Sequence, residues 1–167
     1  MWGLQQFTAG FDGPLTGDVR SQLKATGVYY WNNGLRVGAV FDAHTGEPFS
    51  CLGTYPDASN LVTLSWGAWT HYCNGKLTPE GSTWRAPLFW QLDLDLGYDL
   101  AFGSHKLSLD LNVSNVTNRQ AVTSRVMQAD QGYFYTGTNQ PVHNPYYWAI
   151  NSLQLPRTTT FSVRYSF

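Results

Sequence analysis

Strict alternation of apolar and polar residues is the feature of this 167-residue sequence that most constrains its fold. Successive side chains point to opposite faces of a β-strand, so alternation over six or more residues predicts a strand with one apolar face. Five segments alternate in this way: residues 20–31, 35–42, 92–100, 107–114 and 159–167. The sequence therefore predicts an all-β chain of about five antiparallel, up-and-down strands.

The connections between these segments differ greatly in length. Asn32-Asn33-Gly34 and Gly103-Ser104 are typical of tight turns, because glycine and asparagine adopt positive φ at little cost. Residues 44–87 and 116–156 are instead far longer than the roughly 12–15 residues that limit most loops of compact soluble domains. Short turns at one end of a sheet and long loops at the other are typical of an outer-membrane β-barrel.

The residues on the two strand faces also favour a membrane barrel. Charged residues make up 13 % of the sequence and aromatic residues 16 %, whereas an ordinary soluble domain is about 25 % charged. The polar positions carry small or acidic side chains, which suit a polar lumen: Asp93, Asp95, Asp99, Asp110, Asn112 and Ser114. Aromatic residues lie near the predicted strand ends, as in the girdles of a barrel: Tyr29, Tyr30, Trp31, Phe89, Trp90, Phe102, Tyr146, Tyr147 and Trp148.

Several functional classes find no support in the sequence. The net charge of −1 provides no basic field for nucleic acid, and no apolar run approaches the roughly 20 residues of a membrane-spanning helix. His44, His71, His105 and His143 share no metal-ligand spacing. The strand aspartates have no neighbouring base and no glycine-rich Ca²⁺ loop, and no nucleophile elbow or phosphate loop is present. We therefore predict no catalytic residues, no metal site and no cofactor.

The first long connection contains two candidate features. Cys51 and Cys73 are the two cysteines of the sequence; on an outer surface they would form a disulfide, and the alternative is two free thiols. Exposed aromatic side chains are good binding anchors, and four are candidates for ligand contact: Trp66, Trp69, Tyr72 and Trp84. The alternative is that these four pack on one another and hold a long loop together.

The sequence resembles the C-terminal part of a TonB-dependent outer-membrane receptor, of the Oar-like branch with an N-terminal carboxypeptidase-regulatory-like domain. The resemblance is carried by GDVR at 17–20 leading to KATGVY at 24–29, PEGSTWRAP at 79–87 leading to WQLDL at 90–94, NVTNRQ at 115–120 and LPRT at 155–158. The final Thr-x-Phe-x-Val-x-Tyr-x-Phe is similar to the C-terminal assembly signal of such barrels. Glu80 stands where the family usually has arginine, and Val116-Thr117 where it has Leu-Phe.

This resemblance implies a part of a 22-stranded barrel in the bacterial outer membrane that serves energised substrate uptake. Residues 1–19 would end an outer loop, residues 20–167 would form the C-terminal part of the barrel, and residues 44–87 and 116–156 would be outer loops. Outer-membrane lipid and the barrel-assembly machinery would be its partners, the latter through Phe161, Val163, Tyr165 and Phe167. The TonB complex would be reached through an N-terminal part that this sequence does not contain.

Two alternatives remain open at the level of sequence. One is a soluble β-sandwich or barrel module that binds carbohydrate through its tryptophan-rich loop. The other is a truncated product without a function of its own. Five strands alone leave two open sheet edges, so an isolated chain of the barrel type is expected to aggregate.

Overall fold

The structure, a computed structural model, describes residues 8–167 and divides them into two compact units. The loop unit comprises residues 8–19, Gly46–Pro87 and Val122–Leu153, and the sheet unit comprises Arg20–Thr45, Leu88–Ala121 and Gln154–Phe167. The first seven residues of the segment predicted to end an outer loop, residues 1–19, lie outside the described residues.

The described residues form mainly β-strands, and the loop unit also contains a short helix, α1 (Leu61–Trp66). The strands are β1 (Gln22–Tyr30), β2 (Leu35–His44), β3 (Pro48–Phe49), β4 (Tyr72–Cys73), β5 (Lys76–Leu77), β6 (Trp84–Arg85), β7 (Phe89–Phe102), β8 (His105–Ser114), β9 (Val122–Arg125), β10 (Asp130–Phe134), β11 (Pro141–His143), β12 (Ile150–Leu153) and β13 (Thr158–Ser166). No helix among the described residues has the length and apolar character needed to cross a membrane.

The sheet unit is one antiparallel sheet of five strands in the order β1-β2-β7-β8-β13. This order confirms the prediction of an all-β chain with five antiparallel strands. The alternating segment 92–100 lies inside the longer strand β7, which begins at Phe89 and ends at Phe102. Within the described residues, the sheet does not close into a barrel, and β1 and β13 are its edges.

Two tight hairpins connect neighbouring strands of the sheet, as the sequence predicts. Between β1 and β2, the amide of Trp31 donates to the carbonyl of Leu35 at 2.8 Å, and the amide of Gly34 donates to that of Trp31 at 3.2 Å. Gly34 has φ +88°, which matches a three-residue loop that ends on a left-handed residue. Between β7 and β8, Gly103 has φ +64° in a two-residue loop. Both turns thus need a residue that tolerates positive φ.

The loop unit contains most of the buried residues, and both long connections contribute to it. It consists of four short antiparallel pairs, β3 with β6, β4 with β5, β9 with β12 and β10 with β11. The two connections are joined at Leu52, whose amide donates to Met127 at 2.9 Å and whose carbonyl accepts from Ala129 at 2.7 Å. Its apolar core includes Phe49, Cys51, Leu52, Val62, Ala68 and Ala129. The predicted long connections therefore fold into a packed unit with short strands.

Candidate functional sites

One face of the five-stranded sheet is apolar from edge to edge. The cross-strand register aligns Tyr29, Val37, Leu96, Leu111 and Phe161 in a single row across β1, β2, β7, β8 and β13. Leu96 at the centre is 44 % exposed, and Phe161 on the edge strand is 63 % exposed. Monomeric soluble proteins rarely expose a contiguous apolar patch larger than a few hundred Å². This face is therefore a candidate surface for lipid or for another protein layer.

Aromatic side chains lie at both ends of the apolar face. At the hairpin end, Tyr165 stacks on His105 at 5.7 Å and on Phe102 at 6.4 Å between ring centroids. At the other end, Trp90 lies 6.4 Å from Phe41. Trp90 and Phe102 belong to the same strand and are about 40 Å apart along it at ~3.3 Å per residue. If the strand is tilted by ~45° from the membrane normal, as in outer-membrane barrels, the separation of the two residues along that normal is about 28 Å, close to the ~25 Å apolar band of such barrels.

Not all aromatic residues predicted for the girdles lie at these rims. Tyr146, Tyr147 and Trp148 belong to the loop unit, between β11 and β12, so their placement at an end of a main-sheet strand was wrong. Phe89 pairs with His44 on the polar face, and their rings stack at 4.7 Å. The error arises because a run of aromatic residues in the sequence does not reveal whether it ends a strand of the main sheet or lies in a turn of the loop unit.

The opposite face of the sheet carries the acidic residues predicted from alternation. Arg36 is the centre of an ionic network there: its guanidinium contacts Asp110 and lies 3.4 Å from Asp99, which also lies 3.2 Å from Lys106. Gly97 lies beneath this arginine, because a Cβ at that position would come within 2.3 Å of Arg36 Nε. Among the described residues, no group of three or more His, Cys, Asp or Glu side chains is arranged to hold a metal ion.

The predicted assembly signal lies on the edge strand β13. Phe161, Val163 and Tyr165 share the apolar face, and Phe167 follows the strand with 95 % of its surface exposed. β13 pairs with β8 on one side, and no described strand pairs with its other side. The strand therefore combines an exposed apolar row with a free row of backbone hydrogen-bonding groups, which is the arrangement that strand addition requires.

Cys51 and Cys73 form a disulfide bond inside the loop unit. The hydroxyl of Tyr147 donates a hydrogen bond to Cys51 Sγ over 3.1 Å, which links the first long connection to the second. Burial raises the pKa of Tyr147 above its ordinary value, so this hydroxyl keeps its proton and remains a donor at neutral pH.

The four aromatic residues predicted for ligand contact have different neighbours in the loop unit. Three of them pack on other aromatic rings: Trp66 on Phe11 at 6.0 Å, Tyr72 on Tyr55 at 5.0 Å, and Trp84 on Phe49 at 5.4 Å and on Trp148 at 5.6 Å. Trp69 is 60 % exposed. These contacts give three of the four a role in holding the loop unit together, and a ligand role for the set stays a prediction.

Arg125 contacts both rings of the Trp84–Trp148 pair. Its guanidinium carbon lies 5.4 Å from the ring centroids of both Trp84 and Trp148, and it donates to the carbonyl of Trp148 at 2.7 Å. Trp148 has φ +67°, which is rare for a bulky residue. The cation–π contacts and the hydrogen bond hold this strained residue in place.

A cavity of about 430 Å³ lies within the loop unit and was not predicted from the sequence. Its lining includes Thr54, Asn74, Tyr135, Asn139, Gln140 and His143. Beside it, the carboxylate of Asp130 is almost fully buried, accepts from the Thr54 amide at 3.0 Å and lies 3.3 Å from His143 Nδ1. Its lining comes from three separate stretches of sequence, so no local motif could have revealed it.

Glycine makes the approach of Asp130 possible. A Cβ on Gly53 would come within 2.7 Å of Asp130 Oδ2 and within 2.2 Å of the carbonyl oxygen of Tyr72. Because the second of these neighbours is backbone, no side-chain rotation could relieve the clash. Gly53 therefore allows Thr54 to meet the buried carboxylate beside the cavity.

Comparisons of the chain with protein-family models, with curated proteins and with solved structures gave no match.

Proposed function

We propose that the chain forms the C-terminal sector of a TonB-dependent outer-membrane receptor, whose wall and outer loops serve energised substrate uptake. The observation that carries the proposal is the exposed apolar face of the sheet, which continues across all five strands and ends in aromatic residues at both rims. Outward apolar bands between aromatic girdles are the outer surface of transmembrane barrels. The resemblance of residues 17–167 to this receptor family supplies the more specific identity.

The polar face supports the same proposal. This face carries an ionic network around Arg36 and the glycines Gly38 and Gly97. Both features suit the wall of a water-filled or plugged lumen. In a two-layer soluble sheet protein, the apolar face would instead be covered by a second layer. On the apolar face of this sheet, Leu96 and Phe161 are instead exposed.

In a membrane, such a sector would need further strands at both of its open edges. Unpaired backbone groups cannot face hydrocarbon, so β1 and β13 require further strands in the membrane. In the proposed receptor, β13 first engages the barrel-assembly machinery through Phe161, Val163, Tyr165 and Phe167, and then pairs with the first strand of the barrel. The two connections that contribute to the loop unit leave the sheet at the end opposite to the hairpins, and the proposal assigns this end to the cell exterior.

Spin labels on two adjacent residues of β7 test the proposal directly. Leu96→Cys and Asp95→Cys place the label on opposite faces of one strand, while the native cysteines are held in their disulfide. Because β1 and β13 require neighbouring strands in the membrane, each labelled chain is refolded with phospholipid vesicles as part of the full-length receptor that the proposal implies. Collisions of each label with oxygen and with a water-soluble nickel chelate are then measured. We expect the label at 96 to favour oxygen, which dissolves in lipid, and the label at 95 to favour nickel.

Two results would overturn the proposal. Equal accessibility of both labels to the two reagents would remove the lipid-facing surface. A monodisperse β monomer in buffer without detergent or lipid would do the same, and would favour a soluble carbohydrate-binding module, for which the cavity of the loop unit is the supporting observation.

A further inference from the structure

We propose that the cavity of the loop unit binds a neutral saccharide. That a neutral saccharide is the substrate of the receptor rests on the proposed function, whereas the ligand chemistry of the cavity rests on the cavity's own residues. At about 430 Å³, the cavity is within the ~300–1,000 Å³ range of small-ligand sites.

The lining of the cavity offers hydrogen bonds without a net charge. Asn74, Asn139 and Gln140 contribute carboxamides, which both donate and accept. Asn139 Oδ1 accepts from the amide of Ala58 at 3.3 Å, which leaves its NH₂ group for a ligand. The lining includes no lysine, arginine, aspartate or glutamate, so a phosphate or carboxylate ligand would find no permanent positive charge there. Paired donors and acceptors of this kind match the hydroxyl groups of a neutral sugar.

Thr54, which is buried, and His143, which is exposed, add two further polar side chains to the lining. Thr54 is fully buried and lines the cavity, yet its Oγ1 has no hydrogen-bond partner among the described residues. Such groups are rare in folded proteins and call for a partner. His143 Nδ1 lies 3.3 Å from Asp130 Oδ1 without a hydrogen bond between them, and the side chain of His143 is 67 % exposed.

Tyr135 supplies the apolar element of the site. It lines the cavity and is 53 % exposed, so its ring face is open to the C–H face of a sugar. Aromatic side chains give large contact area at low entropic cost, and a few such anchors dominate most binding energies. Tyr133 is a matched control on the same segment, because it is 55 % exposed, does not line the cavity and donates its hydroxyl to Gln131.

The test is a titration of the full chain with defined oligosaccharides. Purified chain in detergent micelles is titrated calorimetrically with maltohexaose, cellohexaose, laminarihexaose and chitohexaose, and with hexagalacturonate as the acidic counterpart. We expect at least one neutral oligosaccharide to bind and the acidic one not to bind. Tyr135→Ala is expected to weaken that binding by about tenfold or more, whereas Tyr133→Ala stays within twofold of the parent chain.

Three results would overturn the inference: no binding of any neutral oligosaccharide by a chain with intact disulfide and near-UV circular dichroism, equal losses in the two tyrosine variants, or tighter binding of hexagalacturonate. The titration is independent of the membrane proposal, since a chain that stays soluble without detergent is titrated in buffer. Failure of the spin-label experiment and failure of this one are therefore separate outcomes.

Discussion

The substitution Leu96→Arg tests whether the apolar face of the sheet meets lipid. Leu96 lies in β7, six residues from Trp90 and six from Phe102, which places it about 20 Å along the strand from each aromatic rim at ~3.3 Å per residue. In the proposed barrel, it would therefore lie near the bilayer midplane. An arginine at that depth costs about 2–4 kcal/mol, against about 0–1 kcal/mol near the interfaces. At ~1.4 kcal/mol per factor of ten, the expected loss is about 30- to 1,000-fold in the folding equilibrium.

The assay compares this variant with a matched arginine on the other face. Thr160→Arg lies on the polar face, in the cross-strand row of Asn112 and Asp95, which is one residue along the strand direction from the row of Leu96. Each variant is made in the full-length receptor that the proposal implies, because the open edges β1 and β13 need neighbouring strands. It is diluted from urea into phospholipid vesicles, and its folded fraction is measured by vesicle flotation and tryptophan fluorescence across urea concentrations. We expect Thr160→Arg to fold within about 1 kcal/mol of the parent chain. Equal unfolding free energies for the two arginine variants would refute the assignment of the apolar face to lipid.

Three further predictions concern the loop unit and the polar face. Reduction of the Cys51–Cys73 disulfide, which spans 22 residues, should lower the unfolding free energy of the loop unit by about 3 kcal/mol through loop entropy. Near-UV circular dichroism in denaturant, with and without reductant, measures this free energy. Identical unfolding curves would contradict the prediction. Burial lowers the pKa of His71 more than nearby carboxylates raise it, so the unfolded state binds the proton more readily. The unfolding free energy should therefore fall as the pH drops below about 6.5. His71→Asn should remove that pH dependence, and a variant that keeps it would refute this assignment. Arg36→Ala leaves the Asp110 carboxylate without its guanidinium partner and should lower the unfolding free energy by about 1–3 kcal/mol. Urea titration in vesicles measures this change, and an unchanged midpoint would show that the network adds no stability.

The sheet was predictable because its signal is local. Each strand carries its own alternation, and the turns at Gly34 and Gly103 carry residues that tolerate positive φ. The register follows from these two properties, since a slip by one residue would reverse the face of every side chain. The strand ends were less predictable: β7 extends to Phe89, where aromatic and polar residues no longer alternate cleanly.

The loop unit was not predictable, because its structure depends on contacts between distant segments. Strands of two residues, such as β3 and β6, are too short to show a period. The hydrogen bond from Thr54 to Asp130 joins residues 76 positions apart, and neither residue belongs to a motif. The candidate cavity therefore arises from tertiary packing, whereas the cysteines could be proposed as a pair because so few residues share their chemistry.

The two units differ in where their apolar residues lie, and this difference carries the functional argument. In the loop unit, Phe49, Cys51 and Val62 are buried as in any folded domain. In the sheet unit, Leu96 and Phe161 remain exposed although they lie on a face with uninterrupted apolar rows. Alternation alone reports that a strand has an apolar face and does not report what covers it. The exposure of that face, together with the aromatic residues at both of its ends, is the observation on which the proposal of lipid over a second protein layer rests.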